Sequence, residues 1–164
     1  MNLYLMRHAI AADADENTED HQRPLTEKGR KKLSKIARNL EKLELEFDLI
    51  LTSSHLCARK TADVVADALD IKKKRLVESE NLTPLGAANK LVEEINAREA
   101  VENLLLVGHE PFLSQLIGML IAGDAGISVT LKKAGMCKLS MEQLSYGRCA
   151  TLEWLLTPAQ LTQI

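Results

Sequence analysis

Aromatic residues are scarce in this chain: one tryptophan, two tyrosines and two phenylalanines make up 3% of 164 residues. Little material is left for stacking nucleobases, and the charge gives no compensating pull. Lysine and arginine number 21 against 23 aspartates and glutamates, for a net charge of -2 and an isoelectric point near 6.1. Neither nucleic acid nor an anionic membrane is therefore expected as a partner, and any anion site must be local. Long apolar runs are also lacking; none approaches the ~18 uncharged residues of a membrane-spanning helix. The opening "MNLYLMRH" is too short, and its charge too late, for a secretory signal. A cytoplasmic protein is expected. Cysteine is limited to Cys57, Cys137 and Cys149, an odd number without the spacing of a metal knuckle or a disulfide framework. All three read as reduced thiols. No repeat, low-complexity stretch or linker interrupts the chain.

Hydrophobic residues reach 46% and charged residues 27%, an ordinary balance for a chain that buries a core. The length fits one domain over residues 1–164. The apolar run from Leu3 to Met6 predicts a buried strand, followed by the polar loop "ADADENTEDHQR". Thr26 reads as a helix N-cap, because Leu33, Ile36, Ala37, Leu40 and Leu43 recur at helical spacing beyond it. "FDLILT" reads as a second strand. "SSHLCARKTADVVADAL" reads as a helix opened by cap-forming serines, with Ala58, Ala62, Val65, Ala66 and Leu69 on one stripe. "RLVE" is a third strand, residues 86–96 a further amphipathic helix, and "NLLLVGH" the most apolar strand. "PFLSQLIGMLIAG" predicts a helix opened by proline and closed near Gly123. This alternation predicts an α/β fold: three layers, helix–sheet–helix, around a mostly parallel sheet. "SVTL", "MCKLSM" and "CATLEWLL" have no helices between them and are expected as strands at a sheet edge, at least one antiparallel.

In open sheets of this kind ligands bind beyond the carboxyl ends of the strands. His8 follows "LYLMR" and His109 follows "LLLVG", so two of the four histidines fall at such ends. A lone histidine there most often satisfies a buried carbonyl. Two at matching positions, one beside Arg7, point instead to a site.

"LMRHAIA" resembles the arginine–histidine signature of the histidine phosphatase superfamily, and "LLLVGHEP" resembles its second-histidine motif. "RPLTEKG", "LTSSHLCARKTA", "NLTPLG" and "LKKAGM" are similar to segments of the small SixA-type phosphohistidine phosphatases, so the resemblance covers nearly the whole chain. It implies a phosphoglycerate mutase-like fold and a phosphatase that carries phosphate on His8, with Arg7 and His109 around the phosphoryl oxygens. The chemistry is consistent. A neutral imidazole is a nucleophile at cytoplasmic pH, and phosphoryl transfer asks mainly for positioning and for donors or positive charge about three oxygens. A protonated His109 would add charge. Arg23, matching the arginine of the "RPLT" segment, is a third candidate cation for phosphate, with a solvated loop residue as the alternative. No metal or cofactor is expected.

Two departures stand out. The helix after the second strand keeps Ser53 and Thr61 at the family's positions, yet Cys57 occupies the place of an arginine. Arg59, two residues on, is turned some 200° about a helix and contributes to the substrate site only if the helix starts late. Cys57 itself reads as a helix-face thiol rather than an alternative nucleophile. In "ENLTPLG", Asn81 stands where ester-cleaving relatives carry a proton-donating glutamate, and Glu78 and Glu80 are out of register. An alkoxide leaving group needs that acid; a protonated imidazole does not. The expected substrate is therefore a phosphohistidine protein of the histidine-phosphotransfer type, placing the chain in signalling. The alternatives are a phosphatase for small phosphate esters and a weakly active module that binds phosphohistidine domains. "KKKR", residues 72–75, reads as a solvated turn. His21 and His55 read as exposed or as pocket rim, and Lys132 and Lys133 carry no assigned role.

Overall fold

The computed structural model describes residues 1–164, and the alternation of elements is the one the hydrophobic pattern predicts. In chain order they are β1 (Asn2–Arg7), α1 (Glu27–Lys42), β2 (Leu49–Thr52), α2 (Leu56–Ala68), β3 (Leu76–Glu78), α3 (Ala88–Asn96), β4 (Asn103–Gly108), α4 (Phe112–Ala122), β5 (Met136–Ser140), β6 (Thr151–Leu156) and α5 (Pro158–Leu161). They build one six-stranded sheet of order β3-β2-β4-β1-β5-β6. The first four strands in that order are parallel, whereas β5 and β6 run antiparallel along one edge.

Successive side chains of a strand point to opposite faces, and β1 and β4 are apolar on both. Tyr4, Met6, Leu105 and Val107 join Leu33 and Ile36 of α1 and Ala58 and Val65 of α2 in a cluster of 21 buried residues. Leu3, Leu5, Leu104 and Leu106 face the other way, onto Leu91 and Ile95 of α3 and Leu113, Ile117 and Leu120 of α4, in a cluster of 20. Each fully buried side chain of this size contributes about 1.5–3 kcal/mol. The expected helix–sheet–helix layering is thus present. No helix is long and apolar enough to cross a membrane.

Three local expectations are corrected. "SVTL" is not a strand: it pairs with no strand of the sheet, and the Leu131 carbonyl accepts from Arg7 Nη1 at 3.2 Å. The helix expected from residue 86 begins at Ala88. The serines before α2 do not cap it; His55 is the N-cap residue, without a side-chain bond to the helix. The short α5, four residues opened by the Thr157 capping box, is too brief to show a helical apolar period. It packs on α1, where buried Asn39 donates Nδ2 to the Leu161 carbonyl at 2.8 Å.

Register brings the strand ends together. Arg7 lies opposite Gly108, and Thr52 opposite Val107. The next residue of each strand, His8, His109 and Ser53, therefore leaves the sheet at one common edge.

Candidate active site

Past the last ladder bond the chain is fixed at each of these ends. His8 N–H donates to the Gly108 carbonyl at 3.0 Å, and Ser53 N–H to the Val107 carbonyl at 3.0 Å. Ala134, at a left-handed φ of 62°, turns its N–H toward the carbonyls of Arg7 and His8 at 3.0 and 3.2 Å. Thr61 of α2 accepts from Ala9 N–H at 3.0 Å and donates to the Cys57 carbonyl at 2.7 Å. The first turn of α2, with Cys57 in it, is thereby held against the end of β1.

Side-chain bonds then set the imidazoles. His8 Nδ1 lies 2.8 Å from the Ala9 carbonyl, which only accepts, so Nδ1 carries the proton and Nε2 keeps its lone pair. His109 Nε2 meets Ser53 Oγ at 2.8 Å. The His8 and His109 rings are 5.0 Å apart, His109 and His55 are 5.0 Å apart, and His55 and His21 are 6.1 Å apart. All four histidines of the chain form one file. It runs from buried His8 and His109 through half-buried His55 to exposed His21.

Burial is the first cause of the electrostatics. It lowers His8 to about 4, assisted by the charges of Arg7, Lys133 and Arg23 and opposed by the bond to Ala9. His109 is lowered to about 3, by burial first and then by His8 and His55. Both are neutral near pH 7. A phosphoryl dianion in contact would raise His109. Burial also raises the Cys57 thiol, against a pull from Arg23, so it stays protonated and is a poor nucleophile. Arg7 is anchored through Nη1, while its buried Nε has no hydrogen-bond partner in the protein.

The other expected residues are distributed as follows. Arg23 is partly buried, donates Nη1 to the Ala12 carbonyl at 3.2 Å, contacts Asp20 at 2.9 Å and brings its charge to bear on three of the four histidines. Arg59 is half-exposed and pairs with Glu78 at 2.9 Å, away from the cluster. Asn81 donates Nδ2 to Glu94 at 2.9 Å, and Glu94 also accepts from Ser79 Oγ at 2.6 Å. Exposed Glu80 acts on His55. Ser53, Lys133 and Asp20 adjoin the histidines without having been singled out for the site, while His55 and His21, read as exposed or as pocket rim, continue the file outward. A groove of about 570 Å³ lined by Leu25, Arg30, Lys60, Asp63 and Lys73 holds no histidine or thiol and is separate from this chemistry.

The parallel strands of this α/β sheet thus deliver paired imidazoles and an arginine to one edge. Residues 3–83 match the Histidine phosphatase superfamily (branch 1). The chain is 38% identical over 141 residues to an uncharacterized protein of Picosynechococcus sp., covering 85% of this chain and 84% of that protein. It is 28% identical over 164 residues to the Phosphohistidine phosphatase SixA of Escherichia coli, covering 98% and 96%. The solved structure of the protein histidine phosphatase SixA complexed with tungstate superposes with a TM-score of 0.85 at 25% identity, covering 98% of this chain and 99% of that one. The chain belongs to the histidine phosphatase superfamily and has the phosphoglycerate mutase-like fold of SixA.

Proposed function

We propose that the chain, as one domain over residues 1–164, is a cytoplasmic phosphatase that removes phosphate from protein phosphohistidine, with no metal in the reaction. The carrying observation is His8: its proton is held on Nδ1 by the Ala9 carbonyl, leaving Nε2 free beside His109 and Arg7. Nε2 attacks phosphorus, the P–N bond to the substrate imidazole breaks, and that ring leaves with the proton it has taken up. Water then attacks the phosphoryl group on His8, inorganic phosphate departs, and the imidazole is restored. Arg7 and Arg23 bring positive charge to the transferred oxygens, and His109 donates an N–H to them.

The substrate class follows from what surrounds the leaving group. Asn81 is engaged with Glu94 and cannot supply a proton as a carboxylic acid would. A phosphoramidate suits such a site better than an alkyl phosphate. The likeness to the phosphohistidine phosphatase of E. coli supports the same choice, and a histidine-phosphotransfer-type domain is the partner it suggests. Cys57, in place of an arginine, favours a second reading as a weakly active module that binds phosphohistidine domains. Small phosphate esters are the remaining alternative substrate.

Quenching during turnover of a phosphohistidine protein is expected to trap acid-labile, alkali-stable phosphate on His8. Label on Cys57, or full activity of His8→Ala, would overturn the assignment. Turnover of phosphoramidate separates the enzyme from the binding module. Equal rates on phosphohistidine, aryl phosphate and alkyl phosphate would favour the small-ester reading.

A further inference from the structure

Cys57 is unused by the proposed reaction, yet it does not sit apart. One ring nitrogen each of His8 and His109 and the Cys57 sulfur lie within 4.8 Å of one another, and all three residues are buried. They arrive from three different elements: the ends of β1 and β4 and the first turn of α2. We infer that His8, Cys57 and His109 form a binding site for a soft divalent cation, Zn²⁺ by the chemistry of its donors, whose occupancy blocks His8.

The donor set is two imidazoles and one thiolate, with a fourth position left for water, a combination suited to Zn²⁺ and unsuited to Mg²⁺ or Ca²⁺. Zn–N bonds of ~2.0–2.1 Å and a Zn–S bond of ~2.3 Å place tetrahedral donors roughly 3.3–3.6 Å apart, so donors within 4.8 Å of one another need to close by at most roughly 1.5 Å. His8 already has the outer bond such ligands use, with Nδ1–H donating to the Ala9 carbonyl. His109 has Nε2 against Ser53 Oγ. Loading releases one proton, from the Cys57 thiol, and forms the Zn–S bond; the imidazoles are neutral and lose none.

The site is not favourable to every cation. Arg7, Lys133 and Arg23 act on His8 and oppose a second positive charge, which only ligand bonds to a thiolate can outweigh. An arginine at position 57 would repel the ion; a thiol offers it a bond. His55 and His21 continue the file of imidazoles outward to solvent and give an arriving ion successive nitrogen donors. A metal bound through His8 occupies the nucleophile, so the blocking role rests on the proposed phosphatase reading, while binding itself does not.

The test titrates the metal-free, full-length protein with Co²⁺ as an optical probe and then displaces it with Zn²⁺. One equivalent of Co²⁺ is expected to produce a thiolate charge-transfer band in the near ultraviolet. Cys57→Ser and Cys57→Arg should both lose the band and weaken Zn²⁺ by more than about a hundredfold, beyond the ~10–100-fold that an outer partner costs. Cys149→Ser, the thiol outside the cluster and the most accessible of the three, should keep it. Circular dichroism checks that each variant is folded. In turnover assays Zn²⁺ should inhibit in step with occupancy, and tungstate should protect. A band that survives in Cys57→Ser, or no band in the parent, overturns the site. Zn²⁺ bound at Cys57 with turnover unchanged overturns the blocking role. Failure to turn over any phosphohistidine substrate is a different result: it strikes the phosphatase reading and leaves the optical titration interpretable.

Discussion

A single side chain, Cys57, governs how the site treats charge. It stands in the first turn of α2 facing the two buried histidines, whereas Arg59 is directed to Glu78 and half-exposed. Cys57→Arg should therefore return a cation to the transferred group and raise turnover or tungstate affinity by about tenfold or more, one charge-assisted contact being worth ~1.5–3 kcal/mol. Arg59→Ala should change turnover little, since an exposed ion pair is worth ~0–1 kcal/mol. A large loss in Arg59→Ala with no gain in Cys57→Arg would assign the phosphate to Arg59 instead. His109 is tested separately. It is neutral at pH 7, so its contribution is an N–H aimed at developing charge, and His109→Ala should lower kcat by ~10²–10³ with the fold intact. An unchanged rate would reduce it to a structural partner of Ser53.

At the scale of elements, close contacts between loops and helix starts decide whether these side chains meet. A Cβ on Gly29, in the first turn of α1, would lie 2.3 Å from the Ile10 carbonyl just beyond His8. Gly29→Ala should therefore destabilise by ~1–3 kcal/mol despite the better helix propensity of alanine, read from the urea midpoint. Thr61→Val keeps the shape but leaves buried Ala9 N–H without its acceptor. A loss of ~1–3 kcal/mol is expected, together with weaker turnover, because α2 is then no longer tied to β1. Normal stability in both variants would mean that the two loops are held by other contacts. These elements also show what the sequence could carry. α1 was legible from its helical apolar period, and β1 and β4 from short continuous apolar runs bounded by polar or turn residues, too short for helices; Thr26 caps α1 as its type predicts, accepting from Gly29 N–H at 3.0 Å. "SVTL" has strand-forming residues, but whether a strand forms depends on where the segment passes relative to the sheet, which no local pattern records. Ser53 obeyed register rather than capping preference. His8 and His109 were visible as strand ends, whereas His55, His21 and Lys133 join them only through the fold, from a helix N-cap and from loops distant in sequence.

The whole molecule registers the site through pH. His8, His55 and His109 all titrate below the ordinary 6.5 of histidine, with burial the first cause in each, and His8 and His109 reach about 4 and about 3. Folding therefore holds these imidazoles neutral, while the unfolded chain takes up their protons as pH falls through ~6.5. Since the unfolded state binds more protons in that interval, stability rises with pH there. The contribution is full above about pH 6.5 and is lost as pH falls toward 4 and then 3. A tenfold change in proton affinity corresponds to ~1.4 kcal/mol, so the loss is on the order of a few kcal/mol, a substantial share of an ordinary ~5–15 kcal/mol domain. Carboxylates do not imitate this. The lowered Glu94 begins to lose its stabilising bonds only near and below its usual range around 4.5, and Glu110, raised by burial, takes its proton first in the folded state and opposes the trend, so a rise in stability from pH 5 to 6.5 belongs to histidine. Urea unfolding should show the midpoint falling steadily from pH 7 to 5, and His109→Gln should flatten that slope even if its absolute stability is lower. Tungstate should raise the midpoint across the interval by binding only the folded state. A midpoint that stays level from pH 7 to 5 in the parent protein would mean that the paired imidazoles are hydrated and titrate normally, and the neutral His8 required for attack on phosphorus would then be only a fraction of the population at the lower end of that range.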